Sequence, residues 1–537
     1  MNMDILPLLE DVEHARVDEV IWGHRIREDQ TAWLLVLEMF NVAQACLESE
    51  AKDPLADVGK ANAPLARPCL RIRFRNLLFR LNQKAAELAA RVQAKNVSSE
   101  MAWKEWLAHT KDEYEGPGAA DYSPLQNRFH DFVQFERGVD LVRSTAVNGL
   151  DGSKGIYNRF IFPMAAEALY WEVGVRADGG EKRLDHTANT FTRAGTLLHI
   201  MLARSKAADS LRASFTIFLD RDSQARRLLR MLQIDEIEDT RKGVKTYLPY
   251  ASHRRFDLLG EDYVSVLTLQ APDNDKLTWL VPLSALHISL YHAEVASERF
   301  LGGKAPLPMI CEIVAPRRTV VRQLSVESLT ENSDLARRAV DMFLSNTFSS
   351  EEWGGLVGAS ELPLSERLEK ACEFLRATFR VPDRILEEHV GRGQVEVLRD
   401  EVTKYFRDRH AKEFSRVHFT YGREAGLVSK RATNRYRYAP TDQLLQSLVL
   451  ANVVHECPLE QFLDRLFTRY GIIIGPRQQT VLEEAKYREL AETVSGQAFR
   501  RNQRRFEARL KSMGMLRRLS DSQAYVLNPL QPREQSR

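Results

Sequence analysis

The sequence predicts a mainly α-helical protein of the α+β class, with a helical N-terminal region, a mixed α/β middle and a helical C-terminal region. Three observations predict it. Apolar residues recur at helical spacing through the first 210 residues. Short runs rich in β-branched and aromatic residues then cluster between residues 213 and 325. Helical spacing returns from Leu329 onward. These changes of character suggest four units: a helical domain at 1–210, a mixed domain at 211–328, a helical domain at 329–457 and a small C-terminal block at 458–537.

The elements follow in order. "TAWLLVLEMFNVAQACL" (residues 31–47) and "LLFRLNQKAAELAARVQAK" (residues 77–95) carry helical apolar spacing and few breakers. "NVSSEMAWKEWLAH" begins another helix, with Asn96 or Ser99 as the expected cap. "EGPGAADYSP" (residues 115–124) is a loop by its Gly and Pro content. In the middle, "ASFTIFLD", "DYVSVLTLQ", "KLTWLVPL", "MICEIVAP" and "RTVVRQLSV" read as strands, several of them separated by Asp, Asn and Pro. "SERLEKACEFLRATF" (residues 365–379) is a helix with a Ser cap.

Composition narrows the function. Of 537 residues, 44% are apolar and 28% charged, which is ordinary for a globular chain with several cores. The formal net charge is only +2, which excludes a globally basic nucleic-acid coat. A nucleic-acid site must come from local clustering of cations. Cys46, Cys69, Cys311, Cys372 and Cys457 are far apart, without the two-residue spacing of a zinc or redox pair. Such a set suggests reduced, mostly buried thiols in the cytosol. No apolar run reaches membrane-spanning length, and the acidic start lacks the basic region of a signal peptide. A soluble cytoplasmic protein is expected.

The C-terminal block is the most informative stretch. "LEQFLDRLFTRYG" puts Phe462, Leu463, Leu466, Phe467 and Tyr470 on one helical face, and Gly471 stops the helix. "IIIG" is a short buried strand and "TVLEEAKYRELAETV" a second helix. "GQAFRRNQRRFEARLKSMGM" is a third, with Phe499, Phe506, Leu510 and Met513 facing inward. "MLRRLSDSQAYVLNP" alternates around Ser520, Asp521 and Ser522 as a β-hairpin does. Between Phe499 and Arg518 eight cations (Arg500, Arg501, Arg504, Arg505, Arg509, Lys511, Arg517 and Arg518) meet one anion, Glu507, a local net charge of +7.

Helix, short strand, helix, basic helix and hairpin is an order that resembles the winged helix-turn-helix family of DNA-binding domains over about 70 residues. The resemblance implies that the third helix enters the major groove while the wing lies beside a phosphate backbone. It makes those eight cations and Gln503 the DNA-binding candidates, with Asn502 as a further contact. The same pattern also suits a winged helix that holds a protein, or a plain solvated basic face.

Other constellations are weaker. "RPCLRIRFRNLLFR" interleaves Arg71, Arg73 and Arg75 with Ile72 and Phe74, a pattern that binds single strands or simply alternates surface and core. "FERGVDLVRSTAVNGLDGSKGIYNRF" gathers Arg143, Lys154 and Arg159 around three glycines, as an anion-binding loop or a polar hinge does. It is not a P-loop, because Gly155 follows Lys154. Asp185 and His186 are adjacent and cannot face one way on a helix; a Thr187 or Thr190 cap explains that polar run. His455-Glu456 does not complete a zincin motif, because Leu459 stands at the second histidine position. His410 and Lys412 are not followed by a phospholipase-type Asp at the needed distance. No catalytic residue, metal ligand or cofactor is assigned.

At whole-chain scale, "VIWGHRIREDQTAWLLVLEMFNVAQA" and "GLDGSKGIYNRFIFP" resemble uncharacterised proteins of multi-gene bacterial anti-phage defence loci. That resemblance implies a non-catalytic subunit acting beside other proteins of the same system. The expected function is therefore a DNA-binding accessory subunit with double-stranded DNA and other subunits as partners, and no membrane. Two alternatives stay open: a scaffold holding a protein partner, and a nuclease-like enzyme in the middle with Asp220, Asp222 and Arg226.

Overall fold

A computed structural model describes residues 17–23, 32–60, 77–78, 81–112, 121–144, 146–147, 160–161, 173–178, 181–186, 194–220, 224–234, 248–313, 319–358, 361–379, 381, 386, 395–430, 435–476, 496–520 and 523–531. Most of these are helical, and the sheets are small, so the class is α+β and mainly helical. No helix among the described residues is long and apolar enough to cross a membrane.

The first helices are α1 (Val17–Trp22), α2 (Ala32–Glu48), α3 (Asn82–Gln93), α4 (Ser99–Asp112) and α5 (Phe132–Ser144). The cap of α4 is Ser98 rather than Asn96 or Ser99: its hydroxyl accepts from the Met101 amide at 3.2 Å. Two strand pairs follow, β1 (Ala146–Val147) with β2 (Phe160–Ile161), and β3 (Val173–Asp178) with β4 (Glu181–His186), both antiparallel. The N-terminal region is thus not purely helical. Next come α6 (Ala194–Ala203), α7 (Ala208–Asp220) and α8 (Gln224–Leu232). Gly195 lets α6 lie directly on α2, because a Cβ there would stand 2.5 Å from the Leu35 carbonyl oxygen. The buried Glu38 carboxylate accepts from the Gly195 amide at 2.9 Å and so caps α6 from across that contact.

The middle differs from the strand reading. α9 (Arg254–Leu267), α10 (Asp273–Phe300) and α11 (Val320–Phe348) fill it. "ASFTIFLD" lies in α7, "DYVSVL" in α9, "KLTWLVPL" in α10 and "VVRQLSV" in α11. Only Met309–Ile310 of "MICEIVAP" is a strand, β5. The physical reason is burial. Leu211, Phe215 and Leu219 of α7 are buried four residues apart, a helical stripe that β-branched content alone conceals. α10 is enclosed almost all round, so its apolar run has no period to read. Thr319 starts α11 by accepting from the Arg322 amide at 3.2 Å.

The rest comprises α12 (Glu351–Gly358), α13 (Leu364–Phe379), α14 (Val395–Glu424), β6 (Val428–Ser429), β7 (Arg437–Tyr438), α15 (Asp442–Asn452), β8 (Glu456–Pro458), α16 (Leu459–Tyr470), β9 (Ile472–Ile473), α17 (Gly496–Ser512), β10 (Leu516–Arg518) and β11 (Ala524–Leu527). α10 is the axis of the molecule, packed by α2, α9, α11, α14 and α15. Cys46, Cys311, Cys372 and Cys457 are buried free thiols; Cys69 lies outside the described residues.

Candidate nucleic-acid interface

The C-terminal block is built onto this helical body. α16 buries Phe462, Leu463, Leu466 and Tyr470. Gly471 ends it at φ 78°, and a Cβ there would stand 1.9 Å from the Leu307 carbonyl oxygen, so both backbone angle and space require glycine. The chain then enters β9, which pairs in parallel with β5: Met309 opposes Ile472 and Ile310 opposes Ile473. The segment expected as a second helix, residues 480–494, lies outside the described residues.

α17 forms as its sequence pattern predicts. Phe499, Phe506 and Leu510 are fully buried, and the Phe506 ring stacks parallel to Phe462 with centroids 6.4 Å apart. Phe499 joins Ile310, Val321, Leu324 and Ile473 in a small cluster of its own. Asn502 corrects the reading that made it a DNA contact. It is buried on the same inner stripe, accepts from the Ile313 amide at 2.8 Å, and donates to the carbonyls of Cys311 (2.9 Å) and Ile474 (3.0 Å). One side chain thus ties α17 to the segments that follow β5 and β9.

Gly514, at φ 72°, turns the chain from α17 into the hairpin. In it Leu516 opposes Val526, Arg517 opposes Tyr525 and Arg518 opposes Ala524. The hairpin takes its third strand from β8, which precedes α16, with Val526 opposite Cys457 and Leu527 opposite Glu456. The strand after α16 is committed elsewhere, to β5.

The cations divide into two groups. Arg509 pairs with Asp442 of α15. Arg517 pairs with Glu456 of β8 at 2.7 Å, and Arg518 with Glu507 of α17 at 3.2 Å. By contrast, among the described residues Arg500, Arg501, Arg504, Arg505 and Lys511 have no carboxylate partner within salt-bridge distance. The outward face of α17 runs Gln497, Arg500, Arg501, Arg504, Ala508, Lys511, all exposed, without an acid or a large apolar side chain. Arg505 and Gln503 sit half-buried at its margins, and Gln503 leans toward Glu507 at 3.5 Å. At the hairpin tip Leu519 is 57% exposed.

The remaining candidates are not assembled with this face. Arg143, in the last turn of α5, pairs with Asp140 at 2.7 Å. Lys154, Arg159, Arg71, Arg73 and Arg75 lie outside the described residues, as does Asp222. Asp220 ends α7 and Arg226 lies in α8, but their side chains fall outside the described ones. His455 Nδ1 donates to the Gln531 carbonyl at 2.8 Å, and no group of His, Cys, Asp and Glu among the described residues is arranged to hold a metal.

Sequence reading missed a buried polar system around α10. Arg255 and Glu294 form a fully buried ion pair, and Arg255 also donates to the Arg469 carbonyl at 2.9 Å. The Asp262 carboxylate accepts from His287 (2.8 Å), Tyr470 (2.7 Å) and Arg469 (2.5 Å). Burial works against its charge, yet His287 and Arg469 hold it below the usual carboxylate range. Ser289 Oγ lies 2.9 Å from His418 Nδ1, His418 Nε2 lies 2.5 Å from Tyr438 Oη, and Asn332 donates to that oxygen at 3.1 Å. Burial pushes His418 down to about 4, so it is neutral near pH 7. A serine beside a histidine is the start of a nucleophilic site. Here Ser289, His418 and Tyr438 are all buried in the helical core, out of reach of a substrate, and the chain of bonds fastens α10 to α14 and β7.

Residues 386–533 match the family model of methylation-associated defense system protein MAD7. The match takes in α14, α15, α16, α17 and the hairpin, so this part of the chain is similar to a defence-system component. That agrees with the anti-phage resemblance of the segments near residues 20 and 150. No curated protein and no solved structure matches the chain significantly.

Proposed function

We propose that the protein is a non-catalytic accessory component of a multi-protein anti-phage defence system that acts in the cytoplasm and contacts duplex DNA through the outward face of α17. One observation carries the reading: five cations on and beside one helix face are without a carboxylate partner among the described residues, while Asp442, Glu456 and Glu507 neutralise the other three. Cations left four residues apart repel each other, and a polyanion removes that repulsion. Arg500, Arg501 and Arg504 project from a helix that Asn502 and Phe499 fix to the body, so their positions are set before a ligand arrives. Guanidinium groups on such a helix suit phosphates and, bidentately, guanine edges. The helix–strand–basic helix–hairpin order supports a winged-helix mode of docking.

A second reading, a scaffold that grips a protein partner, draws on one feature: the exposed Leu519 on a hairpin whose two arginines are already paired. Salt-titrated binding of duplex DNA separates the two. Phosphate contact gives an affinity that falls with salt at roughly 0.9 log units per contact per decade. A purified protein that shows no salt-dependent affinity for duplex DNA returns α17 to the protein-contact reading.

A further inference from the structure

We propose that Glu456 and Glu507 neutralise the C-terminal hairpin, so that α17 binds the phosphate backbone while Arg517 and Arg518 stay out of the phosphate-contacting set. The proposal rests on the DNA reading of α17 and departs from the expectation that the wing lies against a phosphate strand.

Geometry carries it. The two arginines are about half exposed, 53% and 49%, but their acids are not: Glu456 is 14% exposed and Glu507 12%. The cations can swing; the carboxylates cannot retreat. Glu456 stands in the β8 ladder opposite Leu527, beside the buried Cys457. Glu507 stands on α17 next to the buried Phe506, on the side that meets β10. A phosphate approaching either guanidinium therefore meets a fixed negative charge at close range, and like charges at that distance repel. The two hairpin cations and their two acids sum to zero. Arg500, Arg501, Arg504, Arg505 and Lys511 keep their full charge. Counterion release follows net neutralisation of phosphates, so the salt dependence belongs to the helix. The two acids thus set the footprint on DNA.

The experiment is fluorescence anisotropy of a labelled duplex across a salt series, with circular dichroism on every variant. The arginine of each pair is about half exposed, and circular dichroism shows which substitutions leave the fold intact. Arg517→Ala/Arg518→Ala is expected to keep the wild-type salt slope, whereas Arg500→Ala/Arg504→Ala flattens it by up to about two units. Glu456→Gln/Glu507→Gln frees both arginines and is expected to steepen the slope by up to about two units. The two hairpin variants read the proposal from opposite directions, so either suffices if the other misfolds. If the hairpin arginine variant flattens the slope as much as the helix variant, the proposal is overturned and the α17 reading stands. An unchanged slope in the glutamine variant overturns it in the same way. If the wild type lacks salt-dependent binding, the α17 reading itself falls, and the proposal with it.

Discussion

α10 and α17 both carry polar residues where a plain core helix would not, and they handle them in opposite ways. α10 buries Ser284, His287, Ser289, His292, Glu294 and Ser297 along one axis of the molecule. Ser284 meets Tyr263 at 2.7 Å, His287 meets Asp262, Ser289 meets His418 and Glu294 meets Arg255. Those groups are occupied by one another, and their effect is to fix how α9, α10, α14 and α16 sit together. α17 buries one polar side chain, Asn502, and turns its cations to solvent. Charge satisfied inside is architecture, whereas charge left unpaired outside is available to a ligand. The comparison is broken or sharpened by perturbing each helix in turn.

The largest effects belong to the buried system. Glu294→Gln leaves Arg255 charged, buried and short of its partner, and is expected to cost about 3–5 kcal/mol. Replacing both residues, as Glu294→Leu with Arg255→Met, is expected to cost less than the single change, because the uncompensated charge goes too. Chemical denaturation followed by tryptophan fluorescence reads both. A single variant as stable as wild type would remove the distinction drawn for α10. Phe506→Ala on the inner side of α17 is expected to cost a similar amount, about 3–5 kcal/mol, since the ring is fully buried against Phe462.

The next effect depends on pH. His418 is held neutral, down to about 4 from an ordinary value of 6.5. Between those two values the unfolded chain takes up a proton that the folded chain refuses. Stability therefore falls as pH drops from 6.5 toward 4, by up to about 3 kcal/mol. Asp262, held below the usual range, adds in the same direction at lower pH: its contribution is present above the ordinary carboxylate value and is lost as pH falls through the folded one. Thermal midpoints measured from pH 7 to pH 4 should decline more steeply in wild type than in His418→Gln. Parallel curves would show that His418 is not the group that titrates.

How much of this was legible differs between the two helices for a physical reason. α17 is amphipathic, so its stripe and the hairpin after it could be read directly, although the sequence pattern carries the helix on to Met515, past the turn at Gly514. Asn502 could have been read as well: it sits three residues after Phe499 and four before Phe506, on the inner stripe. The ion pairs could not, because Asp442 and Glu456 lie 67 and 61 residues from Arg509 and Arg517. α10 is surrounded, so its residues lose the period that marks a helix, and "KLTWLVPL" passes for a strand. Its polar partners come from α9, α14 and α16, which only the fold brings together. The β3–β4 hairpin was missed although Asp178-Gly179-Gly180 is a turn signal. The DNA-binding candidates before residue 160 lie mostly outside the described residues and add nothing to the comparison.

The smallest effect on stability is the most diagnostic of α17. Arg500 and Arg504 are four residues apart on an exposed face, as like charges that repel by about 0.2–0.5 kcal/mol. Replacing Arg504 alone with alanine removes that repulsion and places the best helix former in an exposed turn. The variant is expected to be as stable as wild type or more stable by a few tenths of a kcal/mol, yet to bind duplex DNA more weakly, with a salt slope flatter by about 0.9. Stability and binding then move in opposite directions at one residue, as they do where a charge is kept for a ligand rather than for the fold. In α10 the same kind of change moves stability strongly and has no ligand to lose. Differential scanning fluorimetry beside salt-titrated anisotropy measures both quantities on one sample. An Arg504→Ala protein that loses stability and keeps its affinity would make this face part of the architecture, and the contrast between the two helices would collapse.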